Sequence, residues 1–511
     1  MVNIFNLQSE SHFFGPKYKI LFVAAEAAPF VQVGGLGRAV SSLSQALKKM
    51  GQDVRIMIPR YLSIDQSLFP LKMAYEGLKV PTDTEGTDFL ICNVKKYEGE
   101  EMVRTYFLEN MEYYEKRANV YGYADDPVRW ALLCRGTLEF LKRSDWLPDV
   151  IVACDWMAGF LPNYLKTVYG DEARLSKIAT VFSIHNIAHQ SIFDHHFVSE
   201  MDFDAGQEPI AGLLEPRLLK LNGMRRGIMY ATVINTVSPT YAQEILTPEY
   251  GQGLHELLKA RRARLYGILN GIDYKIYNPE KNSYIPVPYN SQSIFKREKN
   301  QAFLQKHFGL PIDQAAFVIG MVSRLDEQKG FDLVMEIADH LLTNINNLQM
   351  IILGDGDNKY KNFFQELAER YPRKVGVHFI FDDVLPHLIF SGSDIVLIPS
   401  KFEPCGLTQM EAMQYGAIPV VRKTGGLADT VENFNPEANQ GTGFVFEGFD
   451  RWALFAAVIR AEQAYRHKKS WDNLVKRAME MDFSWEASAR EYLHLFSVAV
   501  QYHKKENKNS Q

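Results

Sequence analysis

Two series of strand-like segments, each alternating with helical patterns, constrain the fold of this chain most strongly. The first series is "KILFVAA", "DVRIMIP", "FLICNVKKY", "VRTYFLE", "DVIVACD" and "IATVFSIH". The second follows a polar, Pro- and Asn-rich stretch at residues 277–293 and is "AFVIGMVSRL", "LQMIILGDGD", "VGVHFIFD", "SDIVLIPS" and "AIPVVRKT". Alternation of strands with helices indicates parallel sheets that are covered on both faces.

The chain has 511 residues, which is too many for one hydrophobic core, so the two series indicate two domains. We predict an α/β fold of two Rossmann-like, doubly wound domains that face each other across a cleft and bind ligands at the carboxyl ends of their strands. The predicted segments are an N-terminal domain (18–276), a linker region (277–315), a C-terminal domain (316–474) and C-terminal helices (475–505) that cross back to the N-terminal domain.

Charge and composition exclude several function classes. A net charge of -5 gives no attraction to nucleic acid or to a membrane surface, and no apolar run reaches the roughly 18 residues of a spanning helix. The N-terminal residues 1–17 lack the pattern of a secretion signal. The four cysteines are scattered, without disulfide or metal-ligand spacing; they are Cys92, Cys134, Cys154 and Cys405. We therefore expect a cytoplasmic protein without a bound metal.

The stretch "FVQVGGLGRAV", residues 30–40, follows the first strand and precedes a helix. Gly34 and Gly35 in this position can leave backbone N–H groups free to bind an anion, aided by the positive end of the helix dipole. A tight turn that packs the helix against the strand explains the same glycines equally well. The spacing differs from that of the dinucleotide-binding fingerprint, and no acidic residue follows at the required distance.

The second series carries three further candidates, and two of them have an ordinary structural alternative. Arg324 and Lys329 follow a strand, where they can offer a planar fork and a point charge to a diphosphate, although most such cations are simply solvated. Glu403 precedes a proline in a loop at a strand end, where its carboxylate can accept sugar hydroxyls. Glu411, on the next helix, is as consistent with a solvent-facing glutamate as with a functional one.

A second glycine pair, in "RKTGGLADTV", repeats the arrangement of strand, glycines and helix. This pattern predicts that Gly425 and Gly426 expose their amides for a second phosphate contact.

Together these segments resemble a known family. The stretches "INTVSPTYAQEI", "ILNGIDYKIYNP", "VSRLDEQKGFDLV", "PSKFEPCGLTQMEAMQYGAIPVVRKTGGLADTV" and "FSWEASAREYL", with others before them, span residues 19–495 and are similar to bacterial glycogen synthases and plant starch synthases of the ADP-glucose type. The resemblance implies the GT-B fold. It also implies transfer of glucose from ADP-glucose to the non-reducing end of an α-1,4-glucan, with retention of configuration and without a cofactor.

The resemblance also assigns roles to single residues. It implies that Arg324 and Lys329 neutralise the diphosphate and that Glu403 faces the glucose hydroxyls. The implied catalytic residues are His185, Asp155, Arg324, Lys329 and Glu403. The implied substrate-binding residues are Gln32, Gly34, Gly35, Tyr121, Asn270, Cys405, Gly406, Gly425, Gly426 and Leu427. Taken alone, His185 is more often a buried structural histidine than a catalytic one.

Several positions depart from the family pattern. The family's first loop reads Lys-x-Gly-Gly-Leu-Gly-Asp, whereas this chain has Gln32 and Arg38 at the lysine and aspartate positions. Cys154 and Met157 replace histidines on either side of the Asp-Trp pair, and Ser191 stands at a glycine position. Arg38 either replaces the lost cation or lies on the outer face of its helix.

The departures leave three interpretations. An active glucan synthase is favoured because Arg324, Lys329 and Glu403 in the second series all match the family pattern. The alternatives are a catalytically weak, glucan-binding regulatory paralogue and a synthase that prefers another donor such as UDP-glucose.

Overall fold

The computed structural model describes residues 16–83, 86–190, 204–380 and 382–509, so Ser191 lies outside the described residues. The chain divides into two compact units. The first contains the described residues of 1–182, 189–233 and 493–511, and the second contains residues 183–188 and 234–492. Each unit is built from parallel strands covered by helices, which confirms the predicted α/β fold class.

The first seven strands of the chain follow the order β3-β4-β5-β2-β1-β6-β7. They are β1 (Lys19–Val23), β2 (Asp53–Pro59), β3 (Lys72–Pro81), β4 (Phe89–Tyr97), β5 (Arg104–Glu109), β6 (Val150–Cys154) and β7 (Ala179–Ile184). Strand β1 lies between β2 and β6, and all three are parallel. The helices of this part are α1 (Gly35–Lys49), α2 (Asp126–Arg143), α3 (Phe160–Lys166) and α4 (Gly223–Tyr230).

One edge of this sheet differs from the predicted parallel arrangement. Strand β4 pairs antiparallel with both β3 and β5, because the connections between these strands are too short for the crossover that parallel neighbours require. Strand β3 is not among the strands predicted from the sequence. Most of its residues are exposed or half-buried, so it lacks the apolar run by which a buried strand is recognised.

The second unit contains a six-stranded parallel sheet of order β12-β11-β10-β13-β14-β15. Its strands are β10 (Phe317–Val322), β11 (Leu348–Leu353), β12 (Val375–His378), β13 (Ile395–Ile398), β14 (Ile418–Arg422) and β15 (Phe444–Phe446). Strand β8 (Val233–Thr236) pairs in parallel with β9 (Leu265–Gly267). The strand order reverses between β10 and β13, which is the point in such sheets where ligands bind beyond the carboxyl ends of the strands.

Short helices alternate with these strands. They are α5 (Pro239–Glu244), α6 (His255–Ala260), α7 (Arg297–His307), α8 (Phe331–Asn344), α9 (Asn358–Arg370), α10 (Leu385–Gly392), α11 (Thr408–Gln414), α12 (Gly425–Thr430), α13 (Arg451–Tyr465) and α14 (Lys468–Met479). The last helix, α15 (Trp485–Asn509), contributes residues from Leu493 onward to the first unit. No helix within the described ranges is long and apolar enough to cross a membrane.

The region predicted as a linker, residues 277–315, is instead packed into the second unit. Asn282 and Tyr289 are buried; the Asn282 Nδ2 donates to the Tyr415 hydroxyl at 2.6 Å, and the Tyr289 hydroxyl donates to the Tyr415 carbonyl at 2.7 Å. The Pro- and Asn-rich composition therefore marks an irregular but fixed segment, because its polar side chains are anchored to other parts of the unit.

The same cluster contains a buried histidine on α10. His387 is 3% exposed, and its Nδ1 lies 2.9 Å from the Tyr415 hydroxyl and 3.1 Å from the Asn282 Nδ2. Burial lowers the pKa of His387 to about 4, against an opposing effect of the Asp383 carboxylate. The imidazole is therefore neutral in the folded protein well below the pH at which an exposed histidine takes up a proton.

We expect His387 to make the folded state less stable in acid. Below about pH 6.5 the unfolded chain binds a proton on this residue and the folded chain does not until about pH 4, so stability is lost as the pH falls through that window. At pH 5 the loss amounts to about 2 kcal/mol. In thermal unfolding between pH 7.5 and pH 5, His387→Gln should lose less stability than the wild type, and substitution of the exposed His467 by Gln is the matched control. Equal losses in all three proteins would contradict this assignment.

Candidate functional site

The loops after β10 and β13 bring together two of the predicted catalytic residues. Lys329 Nζ lies 2.6 Å from the Glu403 Oε2, and the Ser400 hydroxyl donates to the same oxygen at 3.0 Å. The pair is largely buried, with 18% and 8% of the two side chains exposed. Among the described residues, no hydrogen bond reaches Glu403 Oε1. The arrangement fixes the carboxylate while leaving one oxygen and two ammonium protons available to a ligand.

Local backbone geometry places Lys329 at this position. It ends a short 3-10 turn, Glu327–Lys329, which is capped by the Asp326 side chain. The next residue, Gly330, has φ +73, and a Cβ there would lie 2.1 Å from the Pro399 carbonyl oxygen. Only glycine therefore allows the β10 loop to lie directly against the β13 loop.

Arg324 lies at the same end of the sheet but reaches into solvent. Its side chain is 70% exposed, with Nη1 3.1 Å from the Asp326 Oδ2 and Nη2 3.5 Å from the Gln328 Oε1. Most of its guanidinium donors thus remain available. The structure does not place Arg324 in contact with Lys329 or Glu403.

The prediction that Gly425 and Gly426 expose free amides is wrong. The Gly425 amide donates to both oxygens of the Glu244 carboxylate, at 3.0 and 3.1 Å, and the Gly426 amide donates to the Glu403 carbonyl at 3.1 Å. The Leu427 amide donates a hydrogen bond to the Thr424 carbonyl. All three residues are buried.

Close packing explains why glycine is required at these two positions. A Cβ on Gly425, where φ is +43, would lie 1.8 Å from the Glu403 carbonyl oxygen, and a Cβ on Gly426 would lie 2.0 Å from that of Cys405. The glycines therefore let the start of α12 pack against the loop that carries Glu403.

Two carboxylates that the sequence analysis missed join α5 to α12. Glu244 also accepts a hydrogen bond from the Thr424 hydroxyl at 2.9 Å, and Asp429 accepts from the amide and hydroxyl of Thr240 at 2.9 and 2.6 Å. Burial raises the pKa of Glu244, against the hydrogen bonds from Gly425 and Thr424, which lower it. Sequence spacing gave no signal for Glu244, because its partner lies 181 residues away.

Cys405, Gly406 and Asn270 meet beside the same loop. The Cys405 thiol is buried, and burial raises its pKa to about 12 despite a hydrogen bond from the Asn270 backbone. Gly406 has φ +69, which favours glycine at this position. The thiol is therefore protonated and packs as a small apolar group. Glu411, for which the sequence is as consistent with a solvent-facing glutamate as with a functional one, is buried.

His185 directly follows β7 in the second unit. Its Nε2 lies 3.3 Å from the Ser183 hydroxyl, and burial lowers the pKa of His185 to about 4. The ring is therefore neutral at neutral pH, which suits a hydrogen-bonding role rather than that of a cation.

In the first unit, a buried glutamate organises the first glycine loop. Glu26 is 2% exposed and accepts hydrogen bonds from the amides of Val33 and Gly34, while the Tyr121 hydroxyl lies 3.2 Å from its Oε1. Burial raises the pKa of Tyr121 well above its ordinary value, and Glu26 raises it further. The sequence held a signal for Glu26, since it is the single charged residue between Lys19 and Arg38.

The glycines of this loop differ in how much space their neighbours leave for a side chain. A Cβ on Gly35 would meet no protein atom within 4 Å, and one on Gly34 would meet only the Glu26 Oε1 at 3.9 Å, whereas one on Gly37 would lie 3.2 Å from the Val31 carbonyl oxygen. Helix packing therefore explains Gly37, but the fold of this unit does not require glycine at positions 34 and 35.

The two departures from the family pattern in this loop contact each other. With the Gln32 amide oriented so that its oxygen faces Arg38, Oε1 accepts hydrogen bonds from Nε at 2.8 Å and Nη2 at 3.3 Å. Arg38 thus turns toward the loop instead of lying on the outer face of α1.

Asp155 follows β6 in a strained conformation. It is buried and has φ +54 and ψ −176, a region that costs a residue with a side chain about 1–3 kcal/mol and occurs most often at functional sites. Cys154 and Met157, the replacements for the family's histidines, are buried on either side of it. Within the described ranges, no group of three or more His, Cys, Asp or Glu residues could hold a metal ion.

The two Rossmann-like units and the charged pair at the β10/β13 reversal define a glycosyltransferase of the GT-B class. The family of the starch synthase catalytic domain matches residues 19–260, and that of the group 1 glycosyl transferases matches residues 303–479. The glycogen synthase of Thermotoga petrophila is 41% identical over 487 residues, which cover 94% of this chain and 99% of the relative. The glycogen synthase of Anoxybacillus flavithermus is 40% identical, with coverage of 94% and 97%. The chain belongs to the glycogen and starch synthase family.

Solved structures agree with this assignment. The catalytic domain of starch synthase IV from Arabidopsis thaliana, bound to ADP and acarbose, superposes with a TM-score of 0.81 at 29% identity, covering 95% of this chain and all of that one. A sucrose-phosphate synthase from Thermosynechococcus elongatus has a TM-score of 0.56 at 17% identity and supports the fold alone. The predicted family, fold and enzyme class are confirmed: this chain is a glycosyltransferase of glycogen or starch synthesis.

The contrast between the two glycine loops gives a stability prediction. Gly425→Ala should destabilise the protein by about 1–2 kcal/mol for the left-handed conformation and about 1–3 kcal/mol for overpacking against Glu403. Gly35→Ala, which adds a methyl group to open space at the start of a helix, should leave the unfolding midpoint unchanged or slightly higher. Thermal unfolding of the two variants beside the wild type measures this difference. A Gly425→Ala protein as stable as Gly35→Ala would contradict it.

Proposed function

We propose that this enzyme transfers glucose from ADP-glucose to the non-reducing end of an α-1,4-glucan with retention of configuration. The observation that carries the proposal is the Lys329–Glu403 pair, held at the strand-order reversal where a nucleotide sugar is expected. The solved starch synthase IV, which contains ADP and acarbose, supports ADP and a glucan as the ligands. The relatives named glycogen synthase do not favour a purely regulatory role.

In this proposal the cations of the second unit act on the diphosphate. Lys329 keeps two ammonium protons free beyond its contact with Glu403, and the exposed Arg324 offers a planar fork. Neutralising the charge that develops on the leaving phosphate stabilises the transition state. Glu403, restrained at Oε2 by Lys329 and Ser400, presents Oε1 to the hydroxyls of the transferred glucose.

The remaining residues act on the sugars. A neutral His185 can donate or accept a hydrogen bond at the donor glucose without adding positive charge. The strained Asp155 is the carboxylate that we assign to the sugar-binding side of the first unit. Asn270 and Tyr121 are assigned to substrate contacts, while Cys405, Gly406, Gly425, Gly426 and Leu427 support the loop that carries Glu403.

The first glycine loop is assigned to the donor because packing does not require glycine at positions 34 and 35, although the Gly34 amide itself is already bonded to Glu26. Space beside Gly35 lets a ligand approach the backbone closely. We infer that the Arg38 guanidinium, oriented by Gln32, supplies the cation that the family's lysine provides. A donor preference other than ADP-glucose is the second candidate, and it is favoured by this Gln32–Arg38 pair alone.

The decisive experiment measures transfer of labelled glucose to glycogen from ADP-glucose and, in parallel, from UDP-glucose. Lys329→Ala and Glu403→Gln should each lower kcat about a hundredfold or more, because each removes a preorganised group worth roughly 3 kcal/mol in the transition state. Lys359→Ala, which removes an exposed lysine of α9 from its ion pair with Asp332, is the control and should keep wild-type activity. A wild type without transfer from either donor would refute the proposal, and near-normal turnover by Lys329→Ala would refute its assigned role.

A second prediction concerns Arg38. If its guanidinium contacts the donor phosphates, Arg38→Ala should raise the KM for ADP-glucose about ten- to a hundredfold, the equivalent of one charge-assisted hydrogen bond of roughly 1.5–3 kcal/mol. Gln32→Lys alone should give no gain, because the new lysine lies beside Arg38, but it should rescue the Arg38→Ala protein. A donor KM that is the same in all four proteins would show that this loop does not contact the phosphates.

A further inference from the structure

Glu244, the last residue of α5, holds the glycine turn next to Glu403 and has no part in the function proposed above. Its Oε1 accepts hydrogen bonds from the Thr424 hydroxyl at 2.9 Å and from the Gly425 amide at 3.0 Å. Its Oε2 lies 3.1 Å from the same amide. Both carboxylate oxygens therefore face donors, an arrangement that suits the ionised side chain because hydrogen bonds to a charged acceptor are the stronger ones.

The turn that Glu244 holds packs directly on the loop that carries Glu403. The Gly426 amide donates to the Glu403 carbonyl at 3.1 Å and to the Pro404 carbonyl at 3.2 Å. No room remains between the two backbones, since a Cβ on Gly425 would lie 1.8 Å from the Glu403 carbonyl oxygen. Close-packed contacts transmit displacements because they have little space in which to absorb them. A shift of Gly425 therefore moves the backbone of Glu403.

The surroundings of Glu244 favour its protonation. Burial is the largest effect and raises the pKa of Glu244, and the Asp429 carboxylate on α12 raises it further. The hydrogen bonds from Gly425 and Thr424 and the Arg422 guanidinium at the end of β14 lower this pKa, but they do not cancel the effect of burial. A proton on Oε2 would point one donor at another, the Gly425 amide. Glu244 thus gives up an acceptor of the turn at a higher pH than an exposed glutamate would.

We propose that Glu244 is a positioning residue for glucose transfer: its ionised carboxylate holds the turn that fixes Glu403, and its protonation in acid releases this turn and lowers kcat. The role rests on the proposed function, in which Glu403 binds the transferred glucose. It extends that function by assigning the enzyme an acid limit to its activity that originates in a residue without substrate contact. Lys329 and Ser400 still hold the Glu403 carboxylate when the turn is released, so the change falls on kcat more than on the KM for ADP-glucose.

The pH dependence of kcat, measured from pH 8 to pH 5 with saturating ADP-glucose and glycogen, tests this role. Glu244→Gln has the shape of the neutral side chain and should lower kcat about tenfold at pH 8, with little change in the KM for ADP-glucose, because a charge-assisted hydrogen bond is lost. The ratio of wild-type kcat to Glu244→Gln kcat should then fall with pH, because the wild type acquires a neutral side chain as well. Glu336→Gln, which changes an exposed glutamate of α8, is the matched control and should follow the wild type at every pH. Circular dichroism at each pH confirms that all proteins are folded.

Asp429→Asn distinguishes positioning by a charged Glu244 from a merely structural contact between α5 and α12. This variant keeps Glu244 but removes the neighbouring negative charge that raises its pKa, so the loss of kcat in acid should move to lower pH. A ratio of wild-type to Glu244→Gln kcat that is the same at every pH would overturn the proposal. Wild-type kcat in Glu244→Gln at pH 8, or a loss in acid that Asp429→Asn leaves in place, would overturn it as well.

Hydrogen–deuterium exchange separates this proposal from the proposed function. In Glu244→Gln at pH 7.5, the amides of residues 425–427 should exchange faster than in the wild type, because the turn opens more readily without its carboxylate acceptor. Faster exchange there in a protein that transfers glucose from neither ADP-glucose nor UDP-glucose would refute the proposed function and still support the hold of Glu244 on the turn. Unchanged exchange in an active enzyme would overturn the role of Glu244 alone.

Discussion

The glycine turns of this enzyme depend on carboxylates, one buried and one half-buried, that accept hydrogen bonds from the turn amides. A turn from a strand into a helix leaves backbone N–H groups without partners inside the helix, and burying them unpaired is costly. Glu26 accepts from Val33 and Gly34 in the first unit, and Glu244 accepts from Gly425 and Thr424 in the second. Each glutamate therefore fixes a turn beside which a ligand is expected, and the positions of the neighbouring side chains follow from it.

In the second unit this constraint extends to Lys329 and Glu403, the pair to which we assign a catalytic role. Glu244 and Asp429 hold α12 against α5, and the glycines at the start of α12 bring it into contact with the backbone of Glu403 and Cys405. That loop is thus restrained from one side by the glycine turn and from the other by Lys329 and Ser400. A carboxylate held on both sides needs little rearrangement when substrate arrives, which is the condition under which fixed charges contribute most to catalysis.

The fold class and the loops that carry Lys329 and Glu403 were predictable from the sequence, whereas the ion pair between these two residues and the partners of the glycine amides were not. Alternating strand and helix patterns are local signals, and Arg324, Lys329 and Glu403 lie in loops directly after strands. By contrast, the amide of Gly425 meets a carboxylate 181 residues away, and no periodicity or spacing indicates such a contact. The same limit explains why residues 277–315 were predicted to be a linker. Their Pro- and Asn-rich composition does not indicate the long-range hydrogen bonds that Asn282 and Tyr289 make to Tyr415.

Gln32 and Arg38, the two departures from the family pattern in the first glycine loop, are hydrogen-bonded to each other. A lysine and an aspartate carry opposite charges, and this chain replaces them with a neutral amide and an arginine, so the loop keeps one cation but moves it onto the first turns of α1. A guanidinium loses less conformational freedom per hydrogen bond than an ammonium when its planar group is already oriented. The Gln32 oxygen provides that orientation through Nε and Nη2. Glutamine at position 32 therefore supports the arginine, because its Oε1 accepts hydrogen bonds from both Nε and Nη2 of Arg38.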